Sequence, residues 1–448
     1  MKILILGAGD VGFHLAQQLA EENHDVVVIE QDRDRVRSIR DAMDAIVLEG
    51  NGASLTMLEK AGIEKTDLLL AVTSQDEINL MACLSASQYQ VPVKIARVSK
   101  PDYFDHTGIL PPERLGVDLM INPERECAME TYQLLQSAAA TEFAQFEGGL
   151  VQLIGLRVKP DAPIAGKTLS EIGRATGQRA RYLIVSVVSD GVTVIPKGDT
   201  RIEADNRIFV VGAPAELPDI LPLAGYSRFN LRRVVIAGGS REGWFLSRML
   251  EDHKIECTII ESNRHRAMEF AEVLRKSLVL HGDATDLELL EMEGIGEADG
   301  FVAYTGSDET NLLSCLLAKN LGTRKVISLI KRFDYIPLVS RVGVDAAVSP
   351  RLSTVNAILK YVRRESVLAV ATLKGTSAQG IEFDVTSRFP YAGRRLAEVR
   401  FPAGMLIGAI LRGDRVIIPR GTDAIRVGDR VIAFMLPSAI SKAESLFG

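Results

Sequence analysis

The chain repeats itself along its 448 residues, and this duplication constrains the fold more than any other feature. The segment that leads into Gly7 recurs before Gly238, an offset of 231 residues. Residues 71–79 recur at 303–311, an offset of 232 residues. An internal repeat takes precedence when a fold is assigned. This one predicts a tandem duplication of a whole multidomain unit.

Each half opens with short apolar runs that alternate with helical stretches. In the first half these runs cover residues 2–6, 26–30, 45–48, 68–73, 93–98 and 119–122. Such runs, without alternation of apolar and polar residues, are typical of strands buried on both faces of a parallel sheet. The succession of strand and helix predicts a doubly wound, Rossmann-like α/β fold.

The later part of each half has a different sequence pattern, in which a helical stretch is followed by β-rich runs. A helical stretch follows Pro123 and is expected to run toward Phe146, and a short helix is expected at 168–172. The β-rich runs of the first half cover 151–158, 182–188, 192–195 and 207–211. We therefore expect a small α+β domain after each Rossmann domain. The expected bounds are 1–123 and 231–350 for the Rossmann domains, and 124–225 and 351–448 for the crossover helices with the small domains.

The first predicted strand ends in a turn of the pattern G-x-G-x-x-G. The candidate phosphate-binding residues of this turn are Gly7, Ala8, Gly9, Asp10, Val11 and Gly12. The first glycine permits a sharp exit from the strand, the second a close approach of pyrophosphate, and the third tight helix packing. A helix N-terminus at this point presents free N–H groups to an anion. A glycine turn that merely packs is the alternative.

An acidic residue follows this turn at close to the interval expected in a dinucleotide-binding fold. Glu30 ends the second predicted strand, 18 residues beyond Gly12. Its carboxylate is expected to accept hydrogen bonds from both hydroxyls of an adenosine ribose. Because a 2′-phosphate would meet that carboxylate, the residues favour NAD or ATP over NADP.

The second copy departs from the pattern at the middle glycine. Its candidate binding residues are Gly238, Gly239, Ser240, Arg241, Gly243 and the acid Glu261. Serine is small enough to tolerate a phosphate, and Arg241 in the place of Asp10 favours a more negatively charged ligand. We expect an occupied second site for an adenine nucleotide or NAD. A degenerate, purely structural copy remains the alternative.

Polar residues at other strand ends complete the expected sites, because ligands bind at the carboxyl ends of strands in such sheets. The candidates are Asn51 and Asp283 after the third strand, Thr73, Ser74 and Thr305 after the fourth, and Arg97 after the fifth. Arg97 is a candidate phosphate ligand, and Ser328 replaces it in the second half. Each of these residues also fits a polar cap at the end of its strand.

These segments together resemble the regulator-of-potassium-conductance (RCK, or KTN) family. The motifs that carry the resemblance are the glycine turn with Glu30, Thr73-x-x-Asp76-Glu77-x-Asn79 with its copy at 305–311, Gly166-Lys167-Thr168-Leu169 and Pro196-Lys197-Gly198-Asp199. The resemblance implies binding of NAD(H), with ATP or ADP as further ligands. It implies a homotetramer that forms a cytoplasmic ring beneath a potassium-conducting integral membrane subunit of Trk type.

Composition limits the other partners that the chain can have. The net charge of −6 gives no general attraction to phosphate backbones, which argues against nucleic acid as a partner. No apolar stretch approaches the length that crosses a bilayer. We therefore expect a cytoplasmic protein that reaches the inner face of the cell membrane through its partner.

An NAD-dependent oxidoreductase with a duplicated cofactor domain is the main alternative, because one fold serves both roles. All histidines fall in the expected Rossmann domains, and they are His14, His24, His106, His253, His265 and His281. The small domains therefore lack the usual proton-transfer residue, and we expect no catalytic residues. The Asp76-Glu77 and Asp308-Glu309 pairs fit helix N-terminal acids better than a metal site. A third possibility is a free-standing nucleotide-binding structural protein.

Overall fold

The structure is a computed structural model of the chain. It describes residues 1–21, 24–43, 45–105, 111–136, 142–176, 181–189, 191–226, 231–339, 341–366, 370–372, 378–413 and 415–447. The chain divides into two compact units. One unit contains residues 1–132 and 233–359, and the other contains 133–232 and 360–448.

The first Rossmann domain is a six-stranded parallel sheet of order β3-β2-β1-β4-β5-β6, with helices in its crossovers. Its elements are β1 (Lys2–Leu6), α1 (Asp10–Glu21), β2 (Asp25–Glu30), α2 (Arg33–Ala42), β3 (Ile46–Glu49), α3 (Leu55–Lys60), β4 (Leu68–Ala71), α4 (Asp76–Gln88), β5 (Val93–Arg97), α5 (Pro101–Asp105) and β6 (Leu119–Ile121). The apolar runs form the central strands, and β1 and β4 are almost wholly buried. The strand order reverses between β1 and β4, which places a ligand crevice at their carboxyl ends.

An antiparallel sheet of order β11-β10-β13-β8-β7 forms the first small domain, beside a ribbon of β12 and β9. The elements here are α6 (Pro123–Gln136), β7 (Glu142–Phe146), β8 (Val151–Arg157), β9 (Lys167–Thr168), α7 (Leu169–Thr176), β10 (Tyr182–Ser189), β11 (Val192–Val194), β12 (Arg201–Ile202), β13 (Arg207–Gly212) and α8 (Ile220–Leu223). The consecutive strands β10 and β11 pair antiparallel.

The second half repeats both domains. Its Rossmann domain contains β14 (Arg233–Ala237), α9 (Arg241–Asp252), β15 (Glu256–Glu261), α10 (Arg264–Val273), β16 (Leu278–His281), α11 (Leu287–Met292), β17 (Gly300–Ala303), α12 (Asp308–Leu321), β18 (Lys325–Leu329), α13 (Ile336–Val339) and β19 (Ala346–Val348). Its small domain contains α14 (Pro350–Ser366), β20 (Val370–Thr372), β21 (Gln379–Asp384), β22 (Met405–Arg412), β23 (Arg415–Ile417), β24 (Arg430–Met435) and α15 (Pro437–Phe447). The sheet orders are β16-β15-β14-β17-β18-β19 and β20-β21-β24-β22-β23.

The expectation of a helix from Pro123 toward Phe146 was wrong in its second part. The helix α6 ends at Gln136, and β7 pairs antiparallel with β8. Phe143 packs against one apolar cluster of the sheet, whereas Ala144 and Phe146 pack against another. This alternation has the period of a strand rather than of a helix.

The short helix expected at 168–172 begins at Leu169 and extends to Thr176. Thr168 precedes it as a cap. The Thr168 hydroxyl accepts a hydrogen bond from the Glu171 N–H at 3.3 Å, and the Glu171 carboxylate accepts one from the Thr168 N–H at 2.7 Å. These reciprocal bonds form a capping box, which fixes the start of the helix.

Candidate functional site

The first glycine turn connects β1 to α1 as the sequence predicts. Gly7 has a φ of +92°, and a Cβ there would lie 2.9 Å from the Thr73 Cα. A Cβ on Gly12 would lie only 1.9 Å from the Gly7 carbonyl oxygen. Gly9 differs, because its nearest neighbour would be the Arg35 guanidinium at 3.7 Å. Two glycines are thus required by packing, and the middle one leaves the turn open.

Glu30 faces this turn from the end of β2. One carboxylate oxygen accepts a hydrogen bond from the Ala8 N–H at 2.5 Å. The other accepts from the N–H groups of Gln31 and Asp32, at 2.7 and 2.9 Å. The residue is 8% exposed. A carboxylate has about four acceptor positions, so the acid is held in place and retains capacity for a ribose hydroxyl.

The second glycine turn reproduces this arrangement between β14 and α9. Gly238 has a φ of +108°, and a Cβ there would meet the Tyr304 carbonyl oxygen at 2.6 Å. The Gly239 N–H donates to Glu261 at 2.5 Å, and the Asn263 N–H donates to the other oxygen of the same carboxylate at 2.6 Å. The geometry of acid and turn is therefore repeated.

Ser240 has a structural role that explains its place in the second turn. It is the N-cap of α9, and its hydroxyl oxygen accepts a hydrogen bond from the Gly243 N–H at 3.2 Å. Capping satisfies one of the free donors at the helix start. The hydroxyl still has a proton to donate, so the cap leaves the turn able to hold an anion.

Asn51 and Asp283 brace their own loops. The Asn51 carboxamide oxygen accepts from the Ala53 N–H at 2.9 Å. The Asp283 carboxylate accepts from both the N–H and the hydroxyl of Thr285, each at 2.8 Å. Both are local turns in which a side chain caps the backbone two residues on. Binding of adenine or ribose by these residues stays a prediction.

A buried asparagine ties the ends of two strands together, a role that the sequence did not reveal. Asn79 is fully buried, and its carboxamide oxygen accepts from the N–H and the hydroxyl of Thr73, at 3.0 and 2.7 Å. Its amide donates to the carbonyl oxygens of Thr73 and Arg97, at 3.1 and 2.8 Å. Asn311 makes the equivalent bonds to Thr305 and Leu329. The repeated Thr-to-Asn motif is thus a brace beside each crevice, and Ser74 is exposed next to the first.

The acidic pairs begin helices α4 and α12, as expected. Asp76 is also buried and accepts from the N–H groups of Ser99 and Lys100, at 3.0 and 2.7 Å. Asp308 receives equivalent bonds from residues 331 and 332. Within the described part of the chain, no group of three or more His, Cys, Asp or Glu side chains is arranged to hold a metal ion.

The crossover helices α6 and α14 join the two halves of the chain within the compact unit that contains both Rossmann domains. The hydroxyl of Tyr304 donates to the Thr131 hydroxyl of α6, and both residues are buried. Ser353 of α14 donates to Glu130 at 2.6 Å. Neither pair was predicted, because the contacts join residues more than 170 positions apart.

Arg97 and Arg241 both act electrostatically on Glu124 of α6, and binding of phosphate by Arg97 stays a prediction. Burial raises the pKa of Glu124 in α6, and the positive charges of Arg97 and Arg241 act in the opposite direction. The Arg241 guanidinium also lies 3.5 Å from the Ser99 carbonyl oxygen of the first domain. The expectation that Ser328 replaces Arg97 was wrong by one residue, because the strand register matches Ser328 with Ala96 and Leu329 with Arg97. The second domain thus has a leucine where the first has Arg97.

A histidine follows the first glycine turn, whereas the cysteines are buried. His14 contacts the Asp10 carbonyl oxygen at 2.8 Å in an exposed position, and His106 lies outside the described residues. All four cysteines are buried and free. Burial raises the pKa of Cys83 to about 12, so this thiol stays protonated at neutral pH. In the part of the chain described, no helix is long and apolar enough to cross a membrane.

Known families match both domain types twice. The TrkA-N domain family matches residues 3–123 and 234–350, and the TrkA-C domain family matches 153–225 and 381–448. The Trk system potassium uptake protein TrkA homolog 2 of Methanosarcina mazei is 38% identical over 456 residues, covering 100% of both chains. The TrkA protein of Halomonas elongata is 35% identical over 452 residues, covering 100% of this chain and 98% of its own.

Solved structures show the same fold at lower identity. The GsuK RCK domain has a TM-score of 0.59 and 20% identity, over 100% of this chain and 94% of its own. A GsuK channel bound to NAD has a TM-score of 0.60 and 21% identity, over 100% of this chain and 78% of its own. Two Rossmann-like domains, each followed by a small α+β domain, thus define the architecture. By its full-length relatives and its paired domain matches, the chain belongs to the TrkA family of Trk-system potassium uptake proteins.

Proposed function

We propose that this chain is a regulatory, gating subunit of a potassium transport system. It binds NAD(H) in the first Rossmann crevice, and NAD(H) or ATP/ADP in the second. Nucleotide binding changes its conformation, and this change is passed to a potassium-conducting integral membrane subunit of Trk type. The observation that carries the proposal is the repeated pair of a buried acid and a glycine turn, at Glu30 with Ala8 and at Glu261 with Gly239.

The buried acids support the choice of ligand. Each carboxylate is held by backbone N–H groups at the end of a second strand, where an adenosine ribose binds in this fold. A 2′-phosphate at either acid would bring two negative charges together in a partly dehydrated place. We therefore assign NAD(H) and adenine nucleotides, and not NADP.

The contacts that α6 and α14 make between the two halves of the chain support a sensing role. A nucleotide that binds one arrangement of the two domains more tightly shifts the population toward that arrangement. The helices α6 and α14 carry these contacts, and each leads directly into a small domain along the chain. The proposed domain bounds remain 1–123, 124–225, 231–350 and 351–448. We propose a homotetramer at the inner face of the cell membrane, attached through the transporter.

Potassium flux tests the proposal directly. The full chain is added to proteoliposomes that contain a Trk-type conducting subunit, and uptake is measured with and without NADH, ATP and ADP. We expect uptake to change with nucleotide, and Glu30→Ala to reduce the response to NADH. A flux that is the same with every nucleotide would contradict a gating role. Steady reduction of NAD with a small hydroxy acid would instead establish an oxidoreductase.

A further inference from the structure

An ion pair joins the first glycine turn to a helix of the second half. A guanidinium nitrogen of Arg351 lies 2.6 Å from a carboxylate oxygen of Asp10. Asp10 is the first residue of α1, and Arg351 is the second residue of α14. The side chains are 49% and 43% exposed. Because water screens such a pair, it contributes little to stability and exchanges easily for another partner.

Arg351 lies in the first turn of α14, where helices ordinarily favour acidic residues. The N-terminus of a helix is its positive end, which favours acidic residues. The equivalent first turn of α6 carries Glu124 and Glu126, whereas that of α14 carries no acid. Helix formation alone therefore disfavours an arginine at this place. Its presence points to an anionic partner outside α14.

We propose that Arg351 binds a phosphate group of the nucleotide in the first site, and that Asp10 holds its guanidinium while that site is empty. The inference rests on the proposed function, since it requires nucleotide phosphates on the turn at 7–12. A phosphate at this helix N-terminus lies beside Asp10, because α1 begins at that residue. The guanidinium fork binds two phosphate oxygens at once, and so competes well with its bond to the carboxylate.

The exchange links occupancy of the first site to the second half of the chain. A bound phosphate takes Arg351 from Asp10 and holds α14 against the first Rossmann domain through the ligand. A nucleoside without phosphate leaves the ion pair intact. The site thus distinguishes phosphorylated ligands from adenosine by means of a residue that lies 341 positions from Asp10 in the sequence.

The second site has the opposite arrangement of charges. There the glycine turn itself carries the cation, Arg241, and the equivalent helix position carries the acid, Glu124. One carboxylate oxygen of Glu124 is buried without a hydrogen-bond partner among the described residues. The second site therefore has a cation on its own turn, and only the first site depends on an arginine from the other half.

Calorimetric titration of the full chain tests this inference, with Glu261→Gln as the common background so that heat from the second site is reduced. The ligands are ATP, NADH and adenosine. We expect Arg351→Gln to weaken ATP and NADH binding about ten- to hundredfold, because a hydrogen bond between charged groups is lost. Adenosine should change less than about twofold. Arg174→Gln, an exposed arginine of the first small domain, is the matched control and should change nothing.

The role of Asp10 is tested by a double-mutant cycle. Asp10→Asn releases the guanidinium and should strengthen ATP binding several-fold. This gain should disappear when Arg351→Gln is also present, because the two residues act on each other. Arg351→Lys keeps the charge and should retain part of the ATP affinity. Thermal unfolding of each variant confirms that the proteins are folded.

The outcomes separate this inference from the proposed function. Equal losses of ATP and adenosine affinity after Arg351→Gln would show a structural role and overturn the inference. The inference would also be overturned if Arg351→Gln bound ATP as tightly as the Arg174→Gln control does, while Glu30→Ala still weakened NADH binding. If Glu30→Ala also leaves NADH and ATP binding unchanged, the proposed nucleotide site itself is wrong.

Discussion

The Glu30 carboxylate accepts a 2.5 Å hydrogen bond from the backbone N–H of Ala8, so the acid and the glycine turn form one rigid unit. The second half contains the same unit in Glu261 and Gly239. In each case the end of the second strand positions the acid, and the turn after the first strand presents the donor. This geometry places the proposed ribose and phosphate contacts next to each other.

Substitution of Gly12 tests whether close packing is required in the first turn. The Cβ of an alanine would lie 1.9 Å from the Gly7 carbonyl oxygen, and the backbone would have to move. We expect Gly12→Ala to cost about 1–3 kcal/mol in the free energy of unfolding, and to abolish nucleotide binding at the first site. Thermal unfolding and calorimetry measure the two effects.

Gly173→Ala is the matched control for that substitution. Gly173 lies within α7, and nothing is found within 4 Å of its added Cβ. Alanine is the better helix former by about 1 kcal/mol. The control should therefore be neutral or stabilising. A Gly12→Ala protein as stable as this control would show that the close approach of Gly12 to Gly7 does not contribute to stability.

Loss of the Asn79 brace should destabilise the first Rossmann domain. Asn79→Ala leaves the partly buried N–H of Thr73 and the carbonyl oxygen of Arg97 without their partner, at an expected cost of about 2–4 kcal/mol. Asn311→Ala should cost a similar amount in the second domain. Denaturant unfolding measures both, and Asn356→Ala, an exposed residue of α14, is the control. An effect no larger than that of Asn356→Ala would refute the brace.

A buried acid in the second small domain should make stability depend on pH. Glu382 is 2% exposed, and one of its oxygens has no hydrogen-bond partner among the described residues. Burial, followed by the nearby Glu147, raises its pKa to about 8; Arg430 acts against this rise, and Asp384 adds to it. Between about pH 5 and pH 8 the folded protein therefore keeps a proton that the unfolded chain releases. Stability should fall as pH rises through that window.

Glu382→Gln tests this dependence, because glutamine stays neutral. We expect the variant to be more stable than the wild type at pH 8, by about 1–3 kcal/mol in the free energy of unfolding. Its stability should also vary less than that of the wild type between about pH 5 and pH 8. Glu444→Gln, an exposed acid of the same domain, should leave the pH profile unchanged. Parallel profiles for the wild type and Glu382→Gln would contradict the raised pKa.

Features that repeat or that lie near each other in the sequence were predictable. The position of Glu30 at the end of β2 followed from its spacing to the glycine turn, because strand lengths in this fold vary little. The equivalent strand β15 followed from the repeat. The capping role of Ser240 is also local. Because a serine stands where the motif has its middle glycine, however, the sequence suggested a change of ligand rather than a helix cap.

Contacts between distant residues could not be predicted. No sequence pattern relates Asp10 to Arg351, or Thr131 to Tyr304, because each pair meets only when two complete domains pack together. The strand β7 was assigned to a helix for a similar reason. Five residues are too few to distinguish the apolar period of a helix from that of a strand. The pairing of β7 with β8 makes this segment a strand.

Calorimetric titration of the wild type, Glu30→Ala and Glu261→Ala with NADH and ATP tests the central claim most directly. The account predicts that both ligands bind the wild type, and that Glu30→Ala weakens NADH more than Glu261→Ala does. We expect the affinity to fall about tenfold or more where hydrogen bonds to a charged group are lost. NADH and ATP affinities that neither substitution changes would contradict the assignment of both crevices.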